Sequence, residues 1–526
     1  MADLLVGVDV GTGSARAGVL SARGNLLGRA ERPIAMRRPS ADVAEQDSEN
    51  IWQAVIGAVR GAMSAAGARA EHVAGIGFDA TCSLVVRGAD GGPLAVSPDA
   101  GDNWDTIVWL DHRAMAEAAQ CTESADAVLG NHGGVMSPEM QVPKLMWLKR
   151  HMPKTWAALG SAFDLCDFLT WKASGSVARS RSALASKWAW QSGNAAGWPH
   201  EFLAAVGLGD LVGRAALPAE AAPPGSDLGP LSAAAADALG LLPTTRVGAG
   251  LIDAHAGALG ILGRRAGAPQ SLDRHLCLIA GTSSSILALA DVPRRLHGVW
   301  GPYDGAVLPG VWLLEAGQSA TGALLDHIIR WHSAGGEATA ERHQAIADRI
   351  GLLRASAGPR FGGDLHVLPD FHGNRSPLAE PAALGVVSGL GLDTDFDSLC
   401  RLYWRTAVAL ALGMRQNLEA LATAGFASDT LLLGGGHSRN ALLIGLYADV
   451  TGATIVIPDT PDAMLLGSAM LAATAAGLYP SLAAAAMAMD QGGAAHAADP
   501  ALRDAFDRDY RIFLEMQRQR RALGQM

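Results

Sequence analysis

The sequence predicts an α/β protein built from a duplicated unit, and two short segments carry that prediction. Residues 4–20 read LLVGVDVGTGSARAGVL, an apolar strand, a small-residue turn and a returning apolar strand. Residues 276–290 read LCLIAGTSSSILALA, the same strand, turn and strand about half a chain later. An internal echo at that distance points to two related halves that face each other.

In the first segment Leu4, Val6, Val8 and Val10 alternate with other residues, Gly11-Thr12-Gly13-Ser14 forms the turn, and residues 17–20 return. Gly11 and Gly13 let an anion approach the main chain, Thr12 and Ser14 add hydroxyl donors, and Asp9 is placed to hold a hydrated magnesium ion. Alone, the pattern fits an ordinary glycine-turn hairpin with a surface acid equally well. The second copy, turning at Gly281-Thr282-Ser283, favours a nucleotide's phosphate tail held by two such turns. Neither GxxxxGK[ST] nor a strand-borne GxGxxG occurs, so the P-loop and the Rossmann fingerprint are set aside.

Residues 25–34 read as a third strand and residues 47–67 as a helix with Ile51, Trp52, Val55, Ile56 and Val59 on one face. Residues 73–78 form a buried strand ending at Asp79 and delivering FDATCSLVV; NWDTIVWLDHRA then brings Trp109, Asp111, His112 and Arg113 after another strand. Open α/β sheets bind ligands at the carboxyl ends of their strands, which places both segments beside a pocket. A surface ion pair is the alternative for Asp111 and Arg113. The run QVPKLMWLKRH predicts a helix from Pro143 with Lys144 in its first turn, where a cation opposes the dipole unless it faces an anion or polar ligand; otherwise it is solvated.

Residues 217–230 are rich in proline and alanine and read as an irregular excursion, and residues 247–252 then lead as a strand into Asp253. The domain boundary is placed near Gly260, giving an N-terminal domain of residues 1–259 and a C-terminal domain of 260–526. EAGQSATG, PDFHGNRSP and the strand, glycine turn and helix of residues 431–440 follow, and residues 500–526 read as one helix.

A chain of 526 residues that is 49% apolar has ample material for two large cores. Its formal net charge of −10 argues against a nucleic-acid partner, and Arg518, Arg520 and Arg521 read as a solvated helix end. Five scattered cysteines without a CxxC point to a reducing compartment, with neither a disulfide framework nor a zinc site. There is no leader-like start and residues 481–489 are too short to span a bilayer, so a cytoplasmic protein without membrane association is expected. His255, His372 and His437 share no metal-ligand spacing.

Four motifs in order, VGVDVGTGSAR, AGLIDAHAGALG, AGTSSSILAL and LLLGGGHSRN, resemble the FGGY carbohydrate kinases over essentially the whole chain. The resemblance implies two ribonuclease H-like domains, the fold shared with actin, hexokinase and the Hsp70 ATPase domain, with the active site in the cleft between them. It implies ATP and Mg2+ as cofactors, Asp253 as the catalytic base, and Asp9 as the acid that organises magnesium through water. ATP contacts carry over onto Thr12, Gly13, Ser14, Arg16, Thr282, Gly322, Gly435, Gly436 and Asn440. Sugar contacts carry over onto Thr81, Cys82, Ser83, Asp111, Lys144, Asp253 and Glu315. Xylulose kinases carry Gln-Met-His, and glycerol kinases an Arg-Glu pair, where this chain has Thr81-Cys82-Ser83, so neither substrate is favoured. The motifs look most like the D-ribulose kinase branch, with L-ribulose, xylulose and ribitol or other alditols as alternatives. A homodimer is the oligomer the family suggests, and a non-catalytic ATP-binding scaffold of the same fold is the competing class.

Overall fold

The computed structural model describes residues 3–99, 101, 103–192, 197–358 and 360–526. They form two compact units, one of Met1–Leu272, Leu289–Leu314 and Asp459–Gly492, the other of Asp273–Ala288, Glu315–Pro458 and Gly493–Met526. These units differ from the chain-order halves 1–259 and 260–526. Residues 260–272, 289–314 and 459–492 pack with the first unit.

The echo in sequence is an echo in topology. Strand Leu4–Val10 lies between its antiparallel hairpin partner Ser14–Ser21 and the parallel strand Val73–Ala80, with Arg246–Gly248 parallel beyond it. In the second unit His275–Ala280 lies between antiparallel Ser284–Ala290 and parallel Thr430–Gly434, with Thr454–Pro458 parallel beyond that. A third strand flanks each hairpin, Leu26–Pro33 in the first case and Trp312–Gln318 in the second. This is the ribonuclease H-like arrangement, present twice. The first unit also holds a five-stranded sheet of Met36–Ser40, Val43–Gln46, Thr106–Ile107, Leu84–Gly88 and Leu159–Asp164.

Period-two alternation gives the Leu4–Val10 strand two different faces. Val6, Val8 and Val10 join one core with Ile51, Val55 and Val59 of helix Ser48–Ala66, which Asp47 caps by accepting from the Glu49 and Asn50 N–H groups. The opposite face carries Gly7 and receives helix Ala463–Ala475. A Cβ on Gly7 would stand 2.3 Å from the Leu465 carbonyl oxygen, and one on Gly77 2.1 Å from that of Ser468. The glycines are therefore what allows main chain to lie against main chain. The same helix packs antiparallel to Asp253–Leu262, since a Cβ on Gly260 would meet the Ala463 carbonyl oxygen at 2.1 Å and one on Gly467 that of Ala256 at 2.0 Å. This packing draws residues 459–492 into the first unit.

Smaller departures have local causes. The helix expected from Pro143 begins two residues earlier, at Gln141, because proline fits any position of a first turn whose N–H groups lack helical partners. Strand Val73–Ala80 runs through Asp79, which parallel pairing with Asp9 holds in the ladder. Residues 247–252 divide into Arg246–Gly248 and Leu251–Ile252, and the excursion before them closes in strand Asp227–Pro230. Residues 500–526 comprise a short 3-10 turn, Pro500–Leu502, and helix Arg503–Gly524. Among the described residues no helix is long and apolar enough to cross a membrane.

One buried acid in the first unit supplies a stability test. Asp167, on helix Leu165–Ser174, accepts from the Ser180 N–H at 2.7 Å, and burial pushes its carboxyl up to about 8 against the opposing charge of Arg179. The folded chain thus keeps a proton that the unfolded chain releases near 4, and stability falls as pH rises between those values. Asp167→Asn is expected to leave the melting temperature unchanged at pH 4 and raise it by several degrees at pH 8. Differential scanning calorimetry at both values checks this.

Candidate active site

Strand register alone assembles the charged centre of the first unit. Asp9 pairs with Arg16 across the hairpin and with Asp79 on the parallel side, while Asp79 pairs with Leu251, two residues before Asp253. Residues paired across a sheet project to the same face, so Arg16, Asp9 and Asp79 form a row, with Asp253 just past its end. Arg16 Nη2 lies 2.7 Å from Asp9 Oδ2, and the Ser468 hydroxyl donates to Asp79 Oδ2 at 2.6 Å. Asp462, the N-cap of helix Ala463–Ala475, adds a further acid and lies 3.5 Å from Arg29.

Burial, and after it this concentration of carboxylates, raises their proton affinity. Burial pushes Asp9 up to about 7; Arg16 opposes the rise, and Asp462 and Asp253 add to it. Burial, then the charge of Asp9, drives Asp79 well above the usual carboxylate range. Asp9 Oδ1 and Asp79 Oδ1 are buried without a hydrogen bond from any other side chain, and the two carboxyls lie against each other. Buried carboxylate oxygens beside like charges suit a cation. Among the described residues no set of three or more His, Cys, Asp or Glu side chains is arranged to enclose a metal. A hydrated magnesium ion needs only one or two carboxylates, so the residues present fit that ion.

Asp253 opens helix Asp253–Leu262, and its Oδ1 accepts from the Ala254 N–H at 2.7 Å. The carboxylate therefore favours its own helix start as well as standing partly exposed beside the acid row.

Trp109 ties the hairpin turn to the neighbouring loops. Its indole N–H donates to Thr12 Oγ1 at 3.0 Å, its main-chain N–H to Ser83 Oγ at 3.3 Å, and its carbonyl accepts from Lys144 Nζ at 3.3 Å. Thr81 and Ser83 share a 3.0 Å hydroxyl contact, and Cys82 between them is buried, its thiol pushed up to about 12. Lys144 is fully buried on its helix and also donates to the Val108 carbonyl at 3.1 Å; burial lowers its proton affinity. This lysine is not solvated.

Asp111 and Arg113 are likewise no surface pair. Both side chains are buried, with Asp111 accepting from the Ala44 and Arg113 N–H groups and from the Arg113 guanidinium. Ser14 donates to Glu31 at 2.7 Å, and Gly13 is open to solvent, with no atom within 4 Å of where its Cβ would be.

The remaining candidates lie in the second unit. The Gly281 carbonyl accepts from the Gly322 N–H at 2.9 Å, and the Thr282 carbonyl from the Thr321 N–H at 2.9 Å, which anchors the second turn on the start of helix Gly322–Trp331. Gly435 holds φ at 87°, and a Cβ there would be 2.5 Å from the Ala280 carbonyl oxygen; Gly436 beside it is exposed. Asn440 caps helix Ala441–Thr451 by accepting from the Leu442 and Leu443 N–H groups, which leaves its amide NH2 to donate. Glu315, on strand Trp312–Gln318, is buried and accepts from Ser285 Oγ at 3.3 Å.

Residues 4–260 match the N-terminal domain, and residues 276–476 the C-terminal domain, of the FGGY family of carbohydrate kinases. The chain belongs to this family. This FGGY kinase is 42% identical to an FGGY carbohydrate kinase domain-containing protein of Danio rerio, covering 97% of this chain and 96% of the other. It is 36% identical to a D-ribulokinase of Saccharomyces cerevisiae, over 90% of this chain and 72% of that one. A xylulose kinase structure from Rhodospirillum rubrum superimposes with a TM-score of 0.79 at 22% identity, covering 99% and 100% of the two chains, and so shares the fold.

The first unit of this FGGY kinase thus gathers Asp9, Thr12, Arg16, Thr81, Ser83, Lys144 and Asp253 around one sheet end. Thr282, Gly322, Gly435, Gly436, Asn440 and Glu315 belong to the second unit. Sequence reasoning did not include Asp79, Asp462 and Trp109 among the site residues. Asp79 was signalled by the Gly77-x-Asp79 spacing, which repeats Gly7-x-Asp9, and Asp462 by its place before an apolar helical run.

Proposed function

We propose that this kinase transfers the γ-phosphoryl group of ATP to the terminal hydroxyl of a pentulose, D-ribulose foremost, giving D-ribulose 5-phosphate. The position of Asp253 carries the reading: a partly exposed carboxylate fixed at a helix start, beside a row of buried acids. There it takes the proton of the sugar hydroxyl as that oxygen attacks phosphorus. Thr12, Gly13, Ser14, Arg16 and Thr282 serve the phosphates, and Gly322, Gly435, Gly436 and Asn440 the adenosine. Thr81, Cys82, Ser83, Lys144 and Glu315 line the sugar, with Asp111 holding Arg113 and the Ala44 main chain in place behind them. Magnesium on Asp9, through water, would neutralise charge on the transferring phosphate oxygens.

The choice of D-ribulose is supported by the resemblance to the yeast D-ribulokinase. L-ribulose, xylulose and ribitol or another alditol are the alternatives. An ADP-release assay with D-ribulose, L-ribulose, D-xylulose, L-xylulose, ribitol and glycerol decides between them. D-ribulose is expected to give the highest kcat/KM, and a higher value for another acceptor replaces it. ADP release that no acceptor stimulates would favour a nucleotide-binding scaffold instead.

A further inference from the structure

We propose that His437 is a positioning residue for nucleotide phosphate, locking the Gly281-Thr282 turn to the Gly435-Gly436 loop. The inference rests on the reading of both segments as ATP contacts. All of the groups involved lie within the second unit.

His437 is buried, with one ring edge held by Tyr447 and the other turned toward the second hairpin turn. Nδ1 stands 2.7 Å from the Tyr447 hydroxyl, and the two rings stack with centroids 6.1 Å apart at 25°. The other edge faces the Gly281 carbonyl, with Nε2 3.5 Å from where a Cβ on Gly322 would stand. Burial lowers the His437 pKa to about 4, so the ring is neutral, and burial also keeps the Tyr447 hydroxyl protonated. A neutral ring that accepts the tyrosine proton on Nδ1 carries its own hydrogen on Nε2, the edge that faces Gly281.

The consequence for a ligand follows from peptide planarity. The Gly281 carbonyl accepts from the Gly322 N–H at 2.9 Å and the Thr321 hydroxyl at 3.0 Å, so its donors come from the helix start, with the His437 ring edge facing it beside them. In a trans peptide the N–H points opposite to the carbonyl, so the Thr282 N–H is aimed away from those donors. The Thr282 carbonyl is fixed in the same way by the Thr321 N–H, which orients the Ser283 N–H. His437 thus aims main-chain donors it does not touch. The rest of the ATP loop comes with it, because the Asn440 N–H donates to the His437 carbonyl at 3.1 Å.

Three variants test the assignment, with ADP binding measured by calorimetry and the KM values for ATP and the best acceptor measured separately. His437→Leu is expected to raise the ADP Kd and the ATP KM about tenfold, and Tyr447→Phe about threefold, the loss of one or two net hydrogen bonds. The acceptor KM should stay within about twofold, and His437→Gln, whose amide retains a donor and an acceptor, should recover most of the loss. Tyr447→Phe keeps the bulk of the ring and serves if His437→Leu does not fold. Unchanged ADP binding in either folded variant, or an equal rise in both KM values, overturns the assignment. Failure of the unaltered chain to bind ADP overturns the ATP reading and this inference together.

Discussion

Asp253→Asn is expected to reduce kcat by about 10²- to 10⁴-fold, the range that a positioned general base supplies. The asparagine carbonyl can still accept from the Ala254 N–H, so the helix start at residue 253 survives the change. What disappears is the group that takes the hydroxyl proton. The acceptor KM should change little, because the other sugar contacts are untouched, and residual turnover should persist through positioning and charge stabilisation. Steady-state kinetics with acceptor and ATP varied in turn, with ADP binding measured alongside, checks the expectation. Full turnover by the variant would remove Asp253 from the chemistry.

The second large effect is on stability. Gly77→Ala would place a methyl group 2.1 Å from the Ser468 carbonyl oxygen, a contact with main chain that no side-chain rotation relieves. Helix Ala463–Ala475 must lift from the sheet, and the 2.6 Å bond from Ser468 to Asp79 is strained with it. Overpacking of a core typically costs about 1–3 kcal/mol, and a clash of main chain belongs at or above the upper end. A fall of several degrees in melting temperature, or loss of soluble protein, is expected. Gly351→Ala is the control: it sits in helix Ala340–Ala357 with no atom within 4 Å of its Cβ position, and should stabilise slightly. Equal behaviour of the two variants would contradict the close-approach argument.

The two-hairpin architecture was legible because a strand, a small-residue turn and a returning strand are local patterns. The same holds for helix Ser48–Ala66, whose apolar face and capping residues all lie within one short window. Asp79 was harder to see. Its strand position could be read, but its place beside Asp9 depends on parallel register across an intervening helix. Asp462 is hundreds of residues from Asp9, and only the packing of its helix brings the two charges within reach of each other. Lys144 illustrates the reverse problem. A lysine in a first turn reads as solvated unless it faces an anion or polar ligand, and only tertiary structure supplies the Val108 and Trp109 carbonyls to which it donates.

The glycine-lined sheet face also bears on how the chain is made. Residues 4–80 leave the ribosome long before the helix that covers Gly7 and Gly77, which is encoded at residues 463–475. Until it emerges, the nascent chain holds a sheet with one face uncovered and Asp9 and Asp79 on it. Domains generally fold as units during synthesis, the N-terminal one first, but this one must wait for its last piece. The second unit, most of which lies between those segments, therefore has the opportunity to fold before the first is complete. Such long-range closure slows folding and extends the time in which an unfinished surface is open to chaperones or to aggregation.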